Sequence, residues 1–191
     1  MTLIRPFHCQ ICGVGMLLVS LSVPVAATEM RVMTQRTVLN ATAVASVCRV
    51  VVDADGIGNH RLSFGVYNKA LGGEVPAKDF TLWLYEEGAT VPGCSAFTVA
   101  PLASVAFGDP GQLDDGGVVT RGAGERVRID VRATDEQASY RGPLTAQYRQ
   151  VQYPSGFAAD GRLAFRAKPV NVAQANAGEY RGTLSFVVSY H

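Results

Sequence analysis

The stretch GEYRGTLSFVVSYH, residues 178–191, decides the fold class of this chain. Within it Leu184, Phe186, Val188 and Tyr190 alternate with Thr183, Ser185, Val187 and Ser189. That period of two is what a strand with one buried face requires. The stretch is expected to be one strand, and no turn or partner strand follows it in the sequence. An apolar strand edge in water needs a cover.

The rest of the chain has the same texture. Of its 191 residues, 48% are hydrophobic and 17% charged, and the net charge is +1. Those values describe one ordinary globular domain and exclude the basic excess of a nucleic-acid binder. Gly (20) and Pro (9) punctuate short runs rich in Val, Thr, Phe and Tyr, an all-β pattern. Strands are expected at 37–52 (TVLNATAVASVCRVVV), 61–67 (RLSFGVY), 80–85 (FTLWLY), 96–107 (divided by Pro101), 126–132 (RVRIDVR), 144–153, 163–170 (LAFRAKPV) and the final stretch. Turn chemistry occupies 53–59, 68–79, 108–117, 154–156 and 171–178. About seven to nine short strands with no repeat or linker fit a single immunoglobulin-like sandwich, and a barrel gives a similar pattern.

The N-terminus reads as an export signal. Arg5 and His8 precede an apolar run over 11–23, followed by Val25, Ala26 and Ala27. Residues 1–27 are therefore expected to be cleaved, leaving 191 − 27 = 164 residues. The run is too short and too poorly flanked to read as a membrane anchor. Cys9 and Cys12 fall inside the expected signal 1–27, so the mature chain keeps two cysteines, Cys48 and Cys94. In an oxidising compartment these are expected to form one disulfide. It closes a loop of 94 − 48 = 46 residues, which the chain-entropy model values at roughly 4 kcal/mol.

Catalytic patterns are missing from the sequence. It contains no GxSxG and no HExxH, and its histidines are His8, His60 and His191. Asp53 and Asp55 resemble the opening of a calcium loop, but the other ligands do not follow. No metal, cofactor or enzymatic activity is expected. Trp83 and Tyr85 share a strand face, where packing is the simpler role. Arg126, Arg128 and Arg132 are interrupted by Glu125 and Asp130, which describes a solvated face with cross-strand pairs.

Several stretches together resemble the fimbrial subunits (pilins) of the chaperone-usher pathway, of the type 1 and P pilus kind. They are the cysteine in a valine-rich strand (VCRVVVDADG), the short RLSFG, FTLWLYEEGATVPGC leading to the second cysteine, and LAFRAKPVNVAQANAGEYRGTLSFVVSYH. The ending carries penultimate Tyr190, alternating apolar residues, and Gly178 fourteenth from the end. The resemblance implies an incomplete immunoglobulin-like sandwich lacking one strand, completed by donor-strand complementation. A periplasmic pilus chaperone lends the strand first, an outer-membrane usher handles the subunit, and the N-terminal extension of a neighbouring pilin then replaces the chaperone. It further implies that Gly178, Leu184, Phe186, Val188 and Tyr190 form the groove and chaperone-facing edge. The donor strand is expected at 28–38, with Met30, Val32 and Thr34 as its alternating residues, and the pilin domain at 39–191. Thr34 and Arg36 are poor pocket fillers, and this extension lacks the Gly that the family usually has there. The implied role is a structural subunit of a surface fimbria that supports adhesion. A receptor-binding adhesin, or a minor tip or terminator subunit on the same sandwich, is the alternative.

Overall fold

The structure, a computed structural model, describes residues 48–191. The expected signal segment 1–27, the extension 28–38 with Met30, Val32 and Thr34, and the first part of the strand at 37–52 lie outside the described residues.

Alternation places the core. In β2 (Lys78–Glu86) Leu82 and Leu84 are fully buried, as are Leu163 and Phe165 of β8 (Arg162–Val170), and the two strands pair antiparallel with Leu82 opposite Leu163. On the facing side, β3 (Leu102–Phe107) turns in Ala103, Val105 and Phe107, and β7 (Gln150–Pro154) turns in Val151 and Tyr153. Phe165 meets Phe107 edge-on at 5.2 Å and stacks on Phe80 at 5.4 Å. The Phe107–Phe165 pair joins the two sheets across a core about 10 Å thick, while Phe80 and Phe165 are neighbours within the larger sheet.

Four further strands complete the larger sheet: β1 (Cys48–Asp53), β4 (Leu113–Asp114), β5 (Gly117–Gly122) and β6 (Arg128–Ala133). Its order is β1-β2-β8-β6-β5-β4, and β9 (Tyr180–Gly182) pairs with β5 off this path. The smaller sheet has the order β10-β3-β7, where β10 is Phe186–Tyr190. All these pairings are antiparallel. The result is an all-β immunoglobulin-like sandwich, and the barrel alternative falls away because the two sheets stay separate.

The cysteines meet as expected. Cys48 at the start of β1 is bonded to Cys94, which is buried, with Cα atoms 6.0 Å apart. Cys94 leads into a 3-10 turn at Ser95–Val99 and on to β3, so the bridge ties the edge of the larger sheet to the entry of the smaller one.

Local expectations fail where the backbone finds other partners. Residues 61–67 form no strand among the described residues, although Leu62 and Phe64 still pack against the core. The N–H of Arg61 donates to Asn59 Oδ1 and that of Ser63 to Asp55 Oδ2, which takes donors a ladder would use. The strand expected over 144–153 shortens to β7, because Leu144 N–H is held by Val131 O while Thr145 and Tyr148 close a turn. The turn expected at 154–156 opens the short helix α1 (Ser155–Ala159). Strand β5 begins at Gly117, inside the expected loop, and its flanking glycines hid it from pattern reading.

Candidate functional site

The final stretch is not one strand but two, and they belong to different sheets. β9 pairs with β5 in the larger sheet, and β10 pairs with β3 in the smaller one. Between them the chain crosses over at residues 183–185. Ser185 is fixed there by its N–H donating to Gln112 Oε1 at 2.8 Å, its hydroxyl donating to Asp109 Oδ2 at 2.7 Å, and its carbonyl accepting Gly108 N–H at 2.8 Å. Gly182 lies tight on the neighbouring strands, since a Cβ there would stand 3.2 Å from Ile129 Cδ1. Period-two alternation continues through the crossover because it reports which face is buried and not which strand is the partner.

In β10, Phe186 lies opposite Phe107, Val188 opposite Val105 and Tyr190 opposite Ala103. These β3 partners are fully buried, so the even-numbered side chains of β10 face the core. Phe186 and Val188, with Leu184 from the crossover, are half-buried against that core. The Phe186 ring is tilted against Phe107 at 6.1 Å. Tyr190 remains 40% exposed, with its ring edge-on to Phe97 at 5.8 Å. On the other face Val187 is exposed, and Ser189, His191 Nε2 and buried Ser104 form a hydrogen-bonded trio at 3.0 to 3.3 Å.

The backbone of β10 completes the picture. Antiparallel partners alternate between hydrogen-bonded and non-hydrogen-bonded pairs. Ser185 O accepts Gly108 N–H, and His191 and Leu102 exchange bonds at 2.9 and 3.4 Å. The odd-numbered residues therefore bond to β3, and the N–H and C=O groups of Phe186, Val188 and Tyr190 point away from it. Among the described residues no strand pairs with that outer edge. The same three residues thus put their side chains toward the core and their backbone groups on an open edge.

Gly178 lies elsewhere. Its φ is +136°, a left-handed region that favours glycine, and a Cβ would stand 3.0 Å from that of Ala123. It serves the approach of β9 to β5, where Ala123 N–H donates to Glu179 O at 2.9 Å. Phe97 is a site neighbour that sequence reading missed; its only signal was its place just after Cys94, which the disulfide anchors.

Other singled-out residues have structural partners. Trp83 Nε1 donates to Asp53 Oδ2 at 3.3 Å, and Arg49 lies over the Tyr85 ring at 5.3 Å. Asp55 pairs with Lys78 at 2.9 Å, and that hydrogen bond, helped by Ser63 N–H, lowers the pKa of its carboxyl below the usual aspartate value. Arg128 pairs with Asp114 of β4, whereas Arg132 pairs with Asp130 two residues back on β6 itself and not with a neighbouring strand as expected.

The fold defines a class, the immunoglobulin-like sandwich, here with one edge strand left open among the described residues. The chain belongs to the K88 fimbrial protein A family, whose sequence model matches residues 10–191. By that family it is a fimbrial protein, and the family is not one of enzymes. Among solved structures the chain is similar to the P pilus rod subunit PapA, at 15% identity and a TM-score of 0.48, over 83% of this chain and 100% of that one. It is also similar to a chain of a chaperone-usher pilus solved to explain rod uncoiling, at 16% identity and a TM-score of 0.40, over 83% of this chain and 96% of that one. A comparison with curated proteins gives no match.

Proposed function

We propose that the subunit polymerises by strand addition at the outer edge of β10. The observation that carries this reading is the double role of Phe186, Val188 and Tyr190, whose side chains turn to the core and whose backbone groups face outward. An incoming strand bonds to those backbone groups and lays its alternate side chains over the thinly covered core. Val50 and Val52 of β1, with Leu62 and Phe64, are further half-buried residues of that core. The sandwich is in this sense incomplete by one strand.

The sequence of events follows from the cost of an open apolar edge in water. The signal 1–27 directs export and is removed. A periplasmic chaperone covers the edge first, and at the outer-membrane usher the 28–38 segment of the next subunit, with Met30, Val32 and Thr34, replaces it. The contact is heterologous and propagates into a fibre, which carries adhesion at the cell surface.

Amide hydrogen exchange tests this reading. In the chaperone-free subunit the N–H groups of Val187, Ser189 and His191 are expected to be protected, while those of Phe186, Val188 and Tyr190 exchange quickly. A synthetic peptide of residues 28–38 should slow the second set and leave the first unchanged. Equal protection of both sets before the peptide is added would refute an open edge.

A further inference from the structure

The open edge of β10 borders an apolar residue that faces outward. Val187 lies on the side of β10 turned from the core and is 66% exposed. Its partner on β3 is Ala106, which is too short to cover it. Its other flank faces the edge where no strand pairs among the described residues. At one end of the same face, His191 Nε2 is taken up by the Ser104 and Ser189 hydroxyls at 3.0 and 3.3 Å. With Nε2 accepting, the ring proton sits on Nδ1, which has no partner among the described residues. At the crossover end, the carboxylate of exposed Asp109 takes the Ser185 hydroxyl and pairs with no cation among the described residues.

Residues 28–38 carry a matching order. Beside Met30, Val32 and Thr34, their alternate set is Glu29, Arg31, Met33 and Gln35. Residues directly opposite in an antiparallel pair share one face of the sheet. Placing Met30 opposite Tyr190 and Val32 opposite Val188 sets Met33 opposite Val187 and Glu29 opposite His191. Arg36, a poor pocket filler, then falls opposite Leu184, beyond the end of β10 at Phe186 and beside Asp109. Other alignments lose these matches. A shift by two residues sets Arg36 opposite Phe186 in one direction and Arg31 opposite Val187 in the other. Parallel alignments set a charged residue opposite Val187 or Arg36 opposite Tyr190.

We infer that the outward face of β10 fixes the register of the added strand, with Met33 of the incoming subunit covering Val187 and its Glu29 accepting a hydrogen bond from His191 Nδ1. This rests on strand addition at β10 and gives that site a second, solvent-side set of contacts. The inward residues alone do not choose a register. Met30 and Val32 are apolar, as are Phe186 and Val188, so a shift by two still sets apolar against apolar. The outward residues do choose one, because the same shift uncovers Val187 and brings a polar or charged residue to it. Each such cross-strand pair is worth up to about fivefold in affinity. Arg36 closes the crossover end with a charge-assisted bond to Asp109.

The test traps neighbours by oxidation in fibres of the full chain. The even-numbered residues of β10 give their backbone bonds to the added strand, so the odd-numbered ones form non-hydrogen-bonded pairs with it, about 4.5 Å apart at Cα and within reach of a disulfide. A chain carrying Met33→Cys and Val187→Cys should give a ladder of covalent multimers on heated, non-reducing gels, and so should Arg31→Cys with Ser189→Cys. Met33→Cys with Ser189→Cys should give none. Val187→Ser, at an exposed site, should leave the thermal midpoint unchanged and weaken uptake of a synthetic 28–38 peptide by about fivefold. Absence of the first two ladders, in fibres whose Phe186, Val188 and Tyr190 amides are protected from exchange, would overturn the register while strand addition stands. Their absence in fibres with those amides unprotected would overturn both.

Discussion

Tyr153 is fully buried, and its hydroxyl has no hydrogen-bond partner among the described residues. Burial, and then the charge of Asp135, raises its pKa, so it stays neutral across the physiological range. An unsatisfied buried hydroxyl costs free energy while the ring, stacked on Phe157 at 5.7 Å, contributes packing. Tyr153→Phe should therefore match or exceed the parent in stability, by about 1 kcal/mol in urea unfolding; a loss of that size would mean that the hydroxyl has a partner. Carboxylates on the surface carry the opposite lesson. The hydrogen bond from Arg166 lowers the pKa of Asp79, Lys78 lowers that of Asp55, and Ser95 lowers that of Glu86. With folded values below unfolded ones, their stabilisation is complete above the ordinary carboxylate range, near pH 4, and is lost as pH falls through the lowered values. Asp135 works in reverse, because burial raises its pKa and its protonation favours the fold. Urea midpoints taken from about pH 5 down to about pH 2 should fall, and fall less steeply in Arg166→Gln, which removes the Asp79 share.

Strand β10 is the element on which the proposed strand addition depends. Its inward residues follow from alternation, and its partner is β3 because Ser185 is pinned by Gln112, Asp109 and Gly108 at the crossover. Phe97 supports the far end by packing against Tyr190. Tyr190→Ala removes that contact and a pocket wall from the open edge while leaving the core strands intact. It should still be exported and form its disulfide, yet fail to yield SDS-resistant multimers. Normal multimers from this variant, read on unheated gels, would remove Tyr190 from the assembly surface.

At the scale of the whole molecule, the bridge between Cys48 and Cys94 couples the two sheets. It joins the start of β1 to the turn that enters β3, across 46 residues. Replacing both cysteines by serine should lower unfolding free energy by roughly 4 kcal/mol, and reduction of the parent should reproduce the effect. Equal stability of oxidised and reduced chains would mean that β1 is held by packing alone. This disulfide suits a domain whose core is thinly covered near β10, Val50 and Val52 among the described residues.

The all-β class, the cysteine pair, the strands β2, β6 and β8 and the inward faces of Phe186, Val188 and Tyr190 were legible in the order of the residues. These are local properties, set by period-two alternation and by residue chemistry. Long-range contacts alone set the split of residues 178–191 between two sheets, the place of Gly178 beside β5, and the lack of a partner for 61–67 among the described residues. The physical reason is common to all of these. Alternation specifies which side of a strand is buried, whereas the partner strand, the register and the neighbours across a ladder depend on contacts between residues far apart in the chain.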